Sequence, residues 1–137
     1  MLIILFFLIG CVAQSNPPFN YYVFALECKD YICDDHWDIH GLWPEYTPRS
    51  WPQFCQPSRY GDFNETLLNE QLPYLCEHWP KSQWKHEWMK HGTCTDMSML
   101  GYFKKAYEIY TNGTTRCCSH KRCRWNLNLN FAFIGCD

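Results

Sequence analysis

Three segments of the chain have the residue pattern of β-strands. Residues 21–26 form a short apolar and aromatic run without Gly or Pro, which is typical of a strand. Residues 37–42 form a second candidate strand, which we expect to end where Gly41 and Pro44 interrupt it. Residues 127–134 alternate as Leu-Asn-Leu-Asn-Phe-Ala-Phe, and this period of two predicts a third strand.

Helical periodicity dominates the middle of the chain. Residues 63–76 carry apolar side chains three and four positions apart, with Asn64 as a candidate cap and Pro73 predicted to kink or end the helix. Residues 83–90 and residues 97–110 predict two further helices. The order of strand, strand, helices and strand predicts an α+β fold.

The first 13 residues are almost entirely apolar. The run is shorter than the roughly 20 residues of a membrane span, so we expect no stable membrane span. We interpret residues 1–13 as a secretory signal that ends in the small-residue exit Cys-Val-Ala, and residues 14–137 as a single domain. The alternative is a buried N-terminal strand or helix, because no Lys or Arg precedes the apolar run.

The cysteines and two glycosylation motifs agree with export. Ten cysteines in 137 residues indicate an oxidising compartment and a disulfide framework. Removal of Cys11 with the signal would leave 10 − 1 = 9 cysteines, an odd number. Either one thiol is free, or one pairs between chains, or the signal is cleaved at another position. Asn64 and Asn112 begin Asn-X-Thr motifs, so we expect both to be glycosylated.

Net charge is −2, which argues against a protein that binds nucleic acid along its length by neutralising phosphates. Nucleic acid remains a candidate substrate that is bound at one local site and not along its length. Aromatic residues make up 18% of the chain, and those that are exposed can stack on unpaired bases.

Residues 86–91, His-Glu-Trp-Met-Lys-His, carry the candidate chemistry. On a helix, His86 and Lys90 share one face, and Glu87 and His91 share the adjacent one. A carboxylate beside His91 favours its charged form, and the ammonium can hold a phosphate. With a second imidazole at His40, one ring can remove a proton and the other can deliver one. The alternative is a solvated helix face with ordinary ion pairs.

A zinc-peptidase motif is excluded by spacing. The motif needs two histidines at positions i and i+4, whereas His86 and His91 are five apart, and Lys90 is a poor ligand. At the other segment, Gly41 permits close approach of a ligand to the backbone and Trp43 offers a flat face for a base.

Two segments then resemble the active-site motifs of the ribonuclease T2 family. These segments are residues 37–44, Trp-Asp-Ile-His-Gly-Leu-Trp-Pro, and residues 86–94, His-Glu-Trp-Met-Lys-His-Gly-Thr-Cys. The family comprises secreted or vacuolar acid ribonucleases, including the self-incompatibility ribonucleases of plants. The resemblance is strongest over residues 21–110. It implies a ribonuclease domain with a central antiparallel sheet, helices packed on one side and disulfide staples.

The resemblance also implies a reaction and roles in it. The ribose 2′-hydroxyl attacks the phosphate, and the resulting 2′,3′-cyclic phosphate is hydrolysed later. In this scheme His91 is the general base and His40 the general acid, and the crowded phosphorane is stabilised by Glu87 and Lys90. The implied substrate-binding residues are His86 for phosphate, Trp43 for base and phosphate, and Glu45 and Trp51 for a base.

The implied protein is a metal-independent acid endoribonuclease without a cofactor. Its substrate is single-stranded RNA and not DNA, which lacks the 2′-hydroxyl. We expect a monomer that is secreted or held in a lysosome-like or vacuole-like compartment, with a disulfide dimer through the odd cysteine as the alternative. The alternative function is a catalytically weak secreted relative that binds RNA or a partner protein.

The resemblance implies disulfides Cys55–Cys94 and Cys28–Cys33, and it assigns no partner to Cys76. After residue 110 the chain departs from the family, whose C-terminal part is longer. Residues 116–124, Arg-Cys-Cys-Ser-His-Lys-Arg-Cys-Arg, are open to three readings: a disulfide knot, a basic patch facing RNA, or a zinc site. The zinc ligands would be Cys117, Cys118, His120 and Cys123. Residues 127–136 stand in for a terminal strand or come from an altered reading frame or splice.

Overall fold

A computed structural model describes residues 18–28, 36–113 and 117–137. The interpreted signal at residues 1–13 lies outside these ranges, and so does Cys33. Cys28 takes part in a disulfide. The signal and the Cys28–Cys33 pairing therefore stay predictions.

Within the described residues, five antiparallel strands form a sheet at the centre of the fold. The strands are β1 Tyr21–Glu27, β2 Asp38–Glu45, β3 Cys118–Ser119, β4 Arg122–Leu127 and β5 Phe133–Cys136. Their order is β2-β1-β4-β3, and β5 also pairs with β4. The apolar run of residues 21–26 is therefore the inner strand β1, which is hydrogen-bonded on both sides.

Strand β2 continues through Gly41 and Pro44, so its predicted end at residue 42 was wrong. The pairing with β1 shifts register between Ala25 and Leu26, which face Gly41 and Ile39. His40 is therefore the extra residue of a β-bulge, a distortion that re-aims side chains. The interruption expected from the sequence is a local change of register within one strand.

Four helices join the two parts of the sheet: α1 Glu65–Gln71, α2 Leu75–His78, α3 Lys81–Lys90 and α4 Met99–Asn112. Two 3-10 helices, Pro57–Asp62 and Gly92–Cys94, flank them. The Asn64 side chain accepts a hydrogen bond from the Leu67 amide at 2.9 Å, as expected of a cap. The predicted helix over residues 63–76 is interrupted near Pro73 and forms α1 and α2.

The helices bury an aromatic core against the sheet. Phe24 of β1 and Trp125 of β4 lie 5.3 Å apart between ring centres. The facing helices and the residue after α2 contribute fully buried aromatic side chains, namely Trp79, Trp84, Trp88, Tyr102 and Phe103. The Tyr102 hydroxyl donates to the Leu42 carbonyl at 2.8 Å, which attaches α4 to β2. The predicted α+β fold with a central antiparallel sheet is confirmed.

The C-terminal prediction of one strand over residues 127–134 was wrong. Its middle is a turn, where the Asn128 side chain accepts from the amides of Asn130 at 2.9 Å and Ala132 at 3.0 Å. Phe131 adopts a positive φ of 65°, which a strand does not allow. The segment is therefore a hairpin of β4 and β5.

Disulfides close the C-terminal part. Cys117 pairs with Cys136, and Cys118 pairs with Cys123. These bonds use the thiols that the zinc reading required, so that reading was wrong. Among the described cysteines, Cys76 is the free one, and it is exposed.

Candidate active site

A cavity of about 440 Å³ lies beside α3 and β2, and β4 reaches it from the side. It is lined by all eight of the catalytic and substrate-binding residues predicted from the sequence: His40, Trp43, Glu45, Trp51, His86, Glu87, Lys90 and His91. The two motifs are 46 positions apart along the chain (86 − 40), so the fold is what brings them together.

Trp43 connects the two motifs at the floor of the cavity. Its indole Nε1 donates to Glu87 Oε2 at 2.8 Å. Its ring centre lies 5.2 Å from the His40 ring and 5.4 Å from the His91 ring. A methyl group on Gly41 would overlap the Trp43 indole and approach Glu87, so the close approach needs glycine.

Glu87 and His91 are the buried pair of the site. Glu87 is 4% exposed and His91 6%, and Glu87 Oε2 lies 4.0 Å from His91 Nε2. Burial raises the pKa of Glu87 to about 7, against the hydrogen bond from Trp43 and the charge of Lys90. Burial lowers the pKa of His91 to about 3, and the positive charges of Lys90, His86 and His40 act in the same direction.

These directions overturn one sequence-based expectation. The carboxylate beside His91 was expected to favour its charged form. In the folded protein desolvation outweighs that attraction, because both groups are almost completely removed from water. The pair is therefore neutral in mildly acid solution, with a protonated Glu87 and an uncharged His91.

His40 has a different environment. Its Nδ1 lies 3.4 Å from Glu27 Oε2, and both side chains are about one third exposed. Burial lowers its pKa, and the charges of Arg122 and Arg124 lower it further, while Glu27 raises it. His40 is thus a partly solvated imidazole with a carboxylate that can orient it.

Residues 51–55, which precede the first 3-10 helix, lie at the rim of the cavity. The Cys55–Cys94 disulfide joins this segment to the 3-10 helix after α3, and the Phe54 amide donates to the Lys90 carbonyl at 2.9 Å. Trp51 is 43% exposed beside the cavity. Glu45 also lines the cavity; it is buried and accepts from the Tyr21 hydroxyl at 3.0 Å, and burial raises its pKa.

The sequence matches the model of the ribonuclease T2 family over residues 5–119. The chain belongs to the ribonuclease T2 family. The match covers more of the chain than the two motifs do and extends beyond the end of α4.

Several ribonuclease T2 relatives are similar in sequence. The ribonuclease T2 protein of Caenorhabditis elegans is 29% identical, with 80% of this chain and 51% of the relative covered. Human ribonuclease T2 is 36% identical over 61% of this chain and 35% of its own length. Intracellular ribonuclease LX of tomato (Solanum lycopersicum) is 33% identical over 57% and 36%. The chain thus spans about half or less of the length of these relatives.

Solved structures share the ribonuclease T2 fold. An RNase-related protein from Calystegia sepium superposes with a TM-score of 0.68 at 18% identity, covering 88% of this chain and 91% of the other. RNase NT, solved in complex with 5′-AMP, gives a TM-score of 0.67 at 20% identity, with coverage of 88% and 91%.

Other residues at the site were missed by the sequence analysis. Arg124 lines the cavity, and its guanidinium carbon lies 5.4 Å from the centre of the Trp43 ring. The polar and apolar alternation of residues 122–127 was a usable signal for the strand that carries it. Ser82, Gln83 and Pro48 also line the cavity, and no pattern distinguished them.

Within the described residues, no group of three or more His, Cys, Asp or Glu side chains is arranged to hold a metal ion, and no helix is long and apolar enough to cross a membrane.

Proposed function

We propose that the protein is a secreted endoribonuclease that cleaves single-stranded RNA through a 2′,3′-cyclic phosphate, which it then hydrolyses. The observation that carries the proposal is the meeting of two histidines of unlike environment in one cavity with a lysine. Transfer of the phosphate to the ribose 2′-hydroxyl needs a base, an acid and a cation, and these three groups supply them.

His91 is the general base in this proposal. A base must be uncharged to accept the proton of the 2′-hydroxyl, and the lowered pKa of His91 keeps it uncharged down to about pH 3. Among the described residues its Nδ1 is buried and has no hydrogen-bond partner, and its Nε2 lies 4.0 Å from Glu87 Oε2.

His40 is the general acid that protonates the leaving 5′-oxygen. Glu27 near Nδ1 favours the charged ring and leaves Nε2 as the nitrogen that donates. Because its pKa lies below the ordinary 6.5, His40 is charged only in acid solution. The two histidines are therefore both in their working forms on the acid side of neutrality.

Glu87 and Lys90 stabilise the phosphorane. In the acid range Glu87 is protonated, so it acts as a neutral hydrogen-bond donor, and Lys90 supplies the positive charge. Glu87 Oε2 already accepts a hydrogen bond from Trp43 Nε1, so Glu87 Oε1 is the oxygen that carries the proton. His86 contacts phosphate, and the residues for a base are Trp43, Glu45 and Trp51.

RNA digestion at acid pH tests the proposal. We expect His40→Ala and His91→Ala each to reduce the cleavage rate by roughly 10²–10⁴. His36→Ala is the matched control, because His36 is exposed just before β2 and is not among the residues that line the cavity. If the folded wild type cleaves RNA no faster than the His40→Ala/His91→Ala double variant, the enzyme proposal fails and a binding function takes its place.

A further inference from the structure

Arg124 reaches the cavity because the sheet leaves a path for its side chain. The register of β4 places Arg124 opposite Ala25, and Ala25 is opposite Gly41 of β2. Neither residue has a side chain larger than a methyl group, so this row across the sheet is open. The arginine crosses β1 and ends 5.4 Å from the centre of the Trp43 ring.

The charge of Arg124 lies at a different part of the cavity from that of Lys90. Lys90 is at the end of α3 beside His91, whereas the row of paired residues that carries Arg124 ends at Gly41, the chain neighbour of His40. The charge of Arg124 also lowers the pKa of His40 and of Glu45. Among the described residues that line the cavity, these two carry the permanent positive charges. The two cations therefore enter the cavity from different elements, Lys90 from α3 and Arg124 from β4.

Asp137 holds the guanidinium without filling its hydrogen-bonding capacity. Arg124 Nη1 lies 3.2 Å from Asp137 Oδ2, and the arginine side chain is 41% exposed. A guanidinium has five N–H donors in a planar fork, so it can hold one carboxylate and a second oxyanion together. The Trp43 ring beside it favours a fixed orientation of that plane.

We propose that Arg124 is a substrate-binding residue that holds a phosphate oxygen of the RNA strand on the side of the leaving nucleotide, next to His40. This rests on the proposed function, which assigns the leaving oxygen to His40. Arginine suits the task because its fork binds phosphate oxygens through paired, charge-assisted hydrogen bonds.

Binding of an uncleavable strand tests the proposal separately from catalysis. The probe is a single-stranded oligonucleotide of 2′-fluoro ribonucleotides, which has no 2′-hydroxyl to cyclise, and its Kd is measured by fluorescence anisotropy over a range of salt concentrations. We expect Arg124→Gln to weaken binding roughly tenfold, as for a lost hydrogen bond to a charged group. The slope of log Kd against log salt should fall by roughly 0.7, the value for one phosphate contact on a single strand.

Arg122→Gln is the matched control. Arg122 lies two residues earlier on the same strand and also lowers the pKa of His40, but it is not among the cavity-lining residues. We expect it to leave Kd and the salt slope unchanged, and Arg124→Lys to retain the salt slope. Thermal melting of each variant monitors folding.

Equal effects of the two Gln variants would overturn the proposal, as would an unchanged salt slope in Arg124→Gln or no measurable binding by the wild type. Cleavage of natural RNA by the wild type is measured in parallel. Arg124-dependent binding without cleavage would refute the enzyme proposal alone, and cleavage without Arg124-dependent binding would refute this one alone.

Discussion

Replacing Glu87 by glutamine tests the buried pair of the site. Glutamine has nearly the same shape as protonated glutamate but cannot ionise. In the wild type, the raised pKa of Glu87 means that the folded state holds its proton more tightly than the unfolded state does. The stability that this proton provides is complete below the ordinary pKa of 4.5 and is lost as the pH rises through about 7.

The size of the effect follows from the shift. A rise from 4.5 to about 7 is a difference of about 2.5 pH units, and at about 1.4 kcal/mol per unit it corresponds to roughly 3 kcal/mol. Because Glu87 is only 4% exposed, solvent screening reduces this value little. Relative to the wild type, Glu87→Gln should therefore gain roughly 3 kcal/mol of unfolding free energy between pH 4 and pH 8, or roughly 10 °C in Tm.

Thermal and urea unfolding of both proteins across this pH range measure the difference. Glu108→Gln is the control. The Glu108 side chain is half exposed, and its hydrogen bond with Lys105 lowers the pKa of Glu108, so the same gain is not expected. If Glu87→Gln and the wild type keep a constant difference in stability from pH 4 to pH 8, the account of a carboxyl group neutralised by burial is refuted.

Three further predictions concern the same site. The rate of RNA cleavage should follow a bell-shaped pH profile. With rising pH the rate should increase as His91 loses its proton near pH 3, and it should decrease again as His40 loses its proton at a pH lower than the ordinary 6.5. A flat profile from acid to neutral pH would exclude the two-histidine scheme. Gly41→Ala should lower stability by roughly 1–3 kcal/mol and reduce cleavage, measured by unfolding and digestion, because its methyl group overlaps the cavity floor. Replacing both Cys55 and Cys94 by serine should cost roughly 4 kcal/mol, the entropy of a loop with a separation of 39, and unchanged unfolding would contradict this.

Local patterns predicted the parts of the fold that depend on local physics. The apolar run at residues 21–26 marks an inner strand because both its faces are covered. Asn64 marks the start of α1 because its side chain takes over an amide that the helix leaves unpaired. The C-terminal hairpin was missed because the apolar and polar alternation of residues 127–134 is typical of a strand. The turn in its middle depends on hydrogen bonds to the Asn128 side chain, which the alternation does not indicate.

The site was predictable in its members and not in its electrostatics. His40 and His91 were found from two motifs, but only the fold shows that His91 is buried while His40 is partly solvated, and this difference assigns their charges. The position of Arg124 at the cavity depends on the pairing of β4 with β1 at Ala25. This is a contact between distant parts of the chain, and no local pattern reveals it.

The most direct test of the central claim is the identity of the cleavage products, followed by ³¹P nuclear magnetic resonance. The wild-type protein is incubated at acid pH with single-stranded RNA of mixed sequence and with the same strand in its 2′-fluoro form. Attack by the ribose hydroxyl predicts a 2′,3′-cyclic phosphate that appears first and later converts to a 3′-phosphate, while the 2′-fluoro strand stays intact. Products with 5′-phosphate ends, or cleavage of the 2′-fluoro strand, would contradict the mechanism.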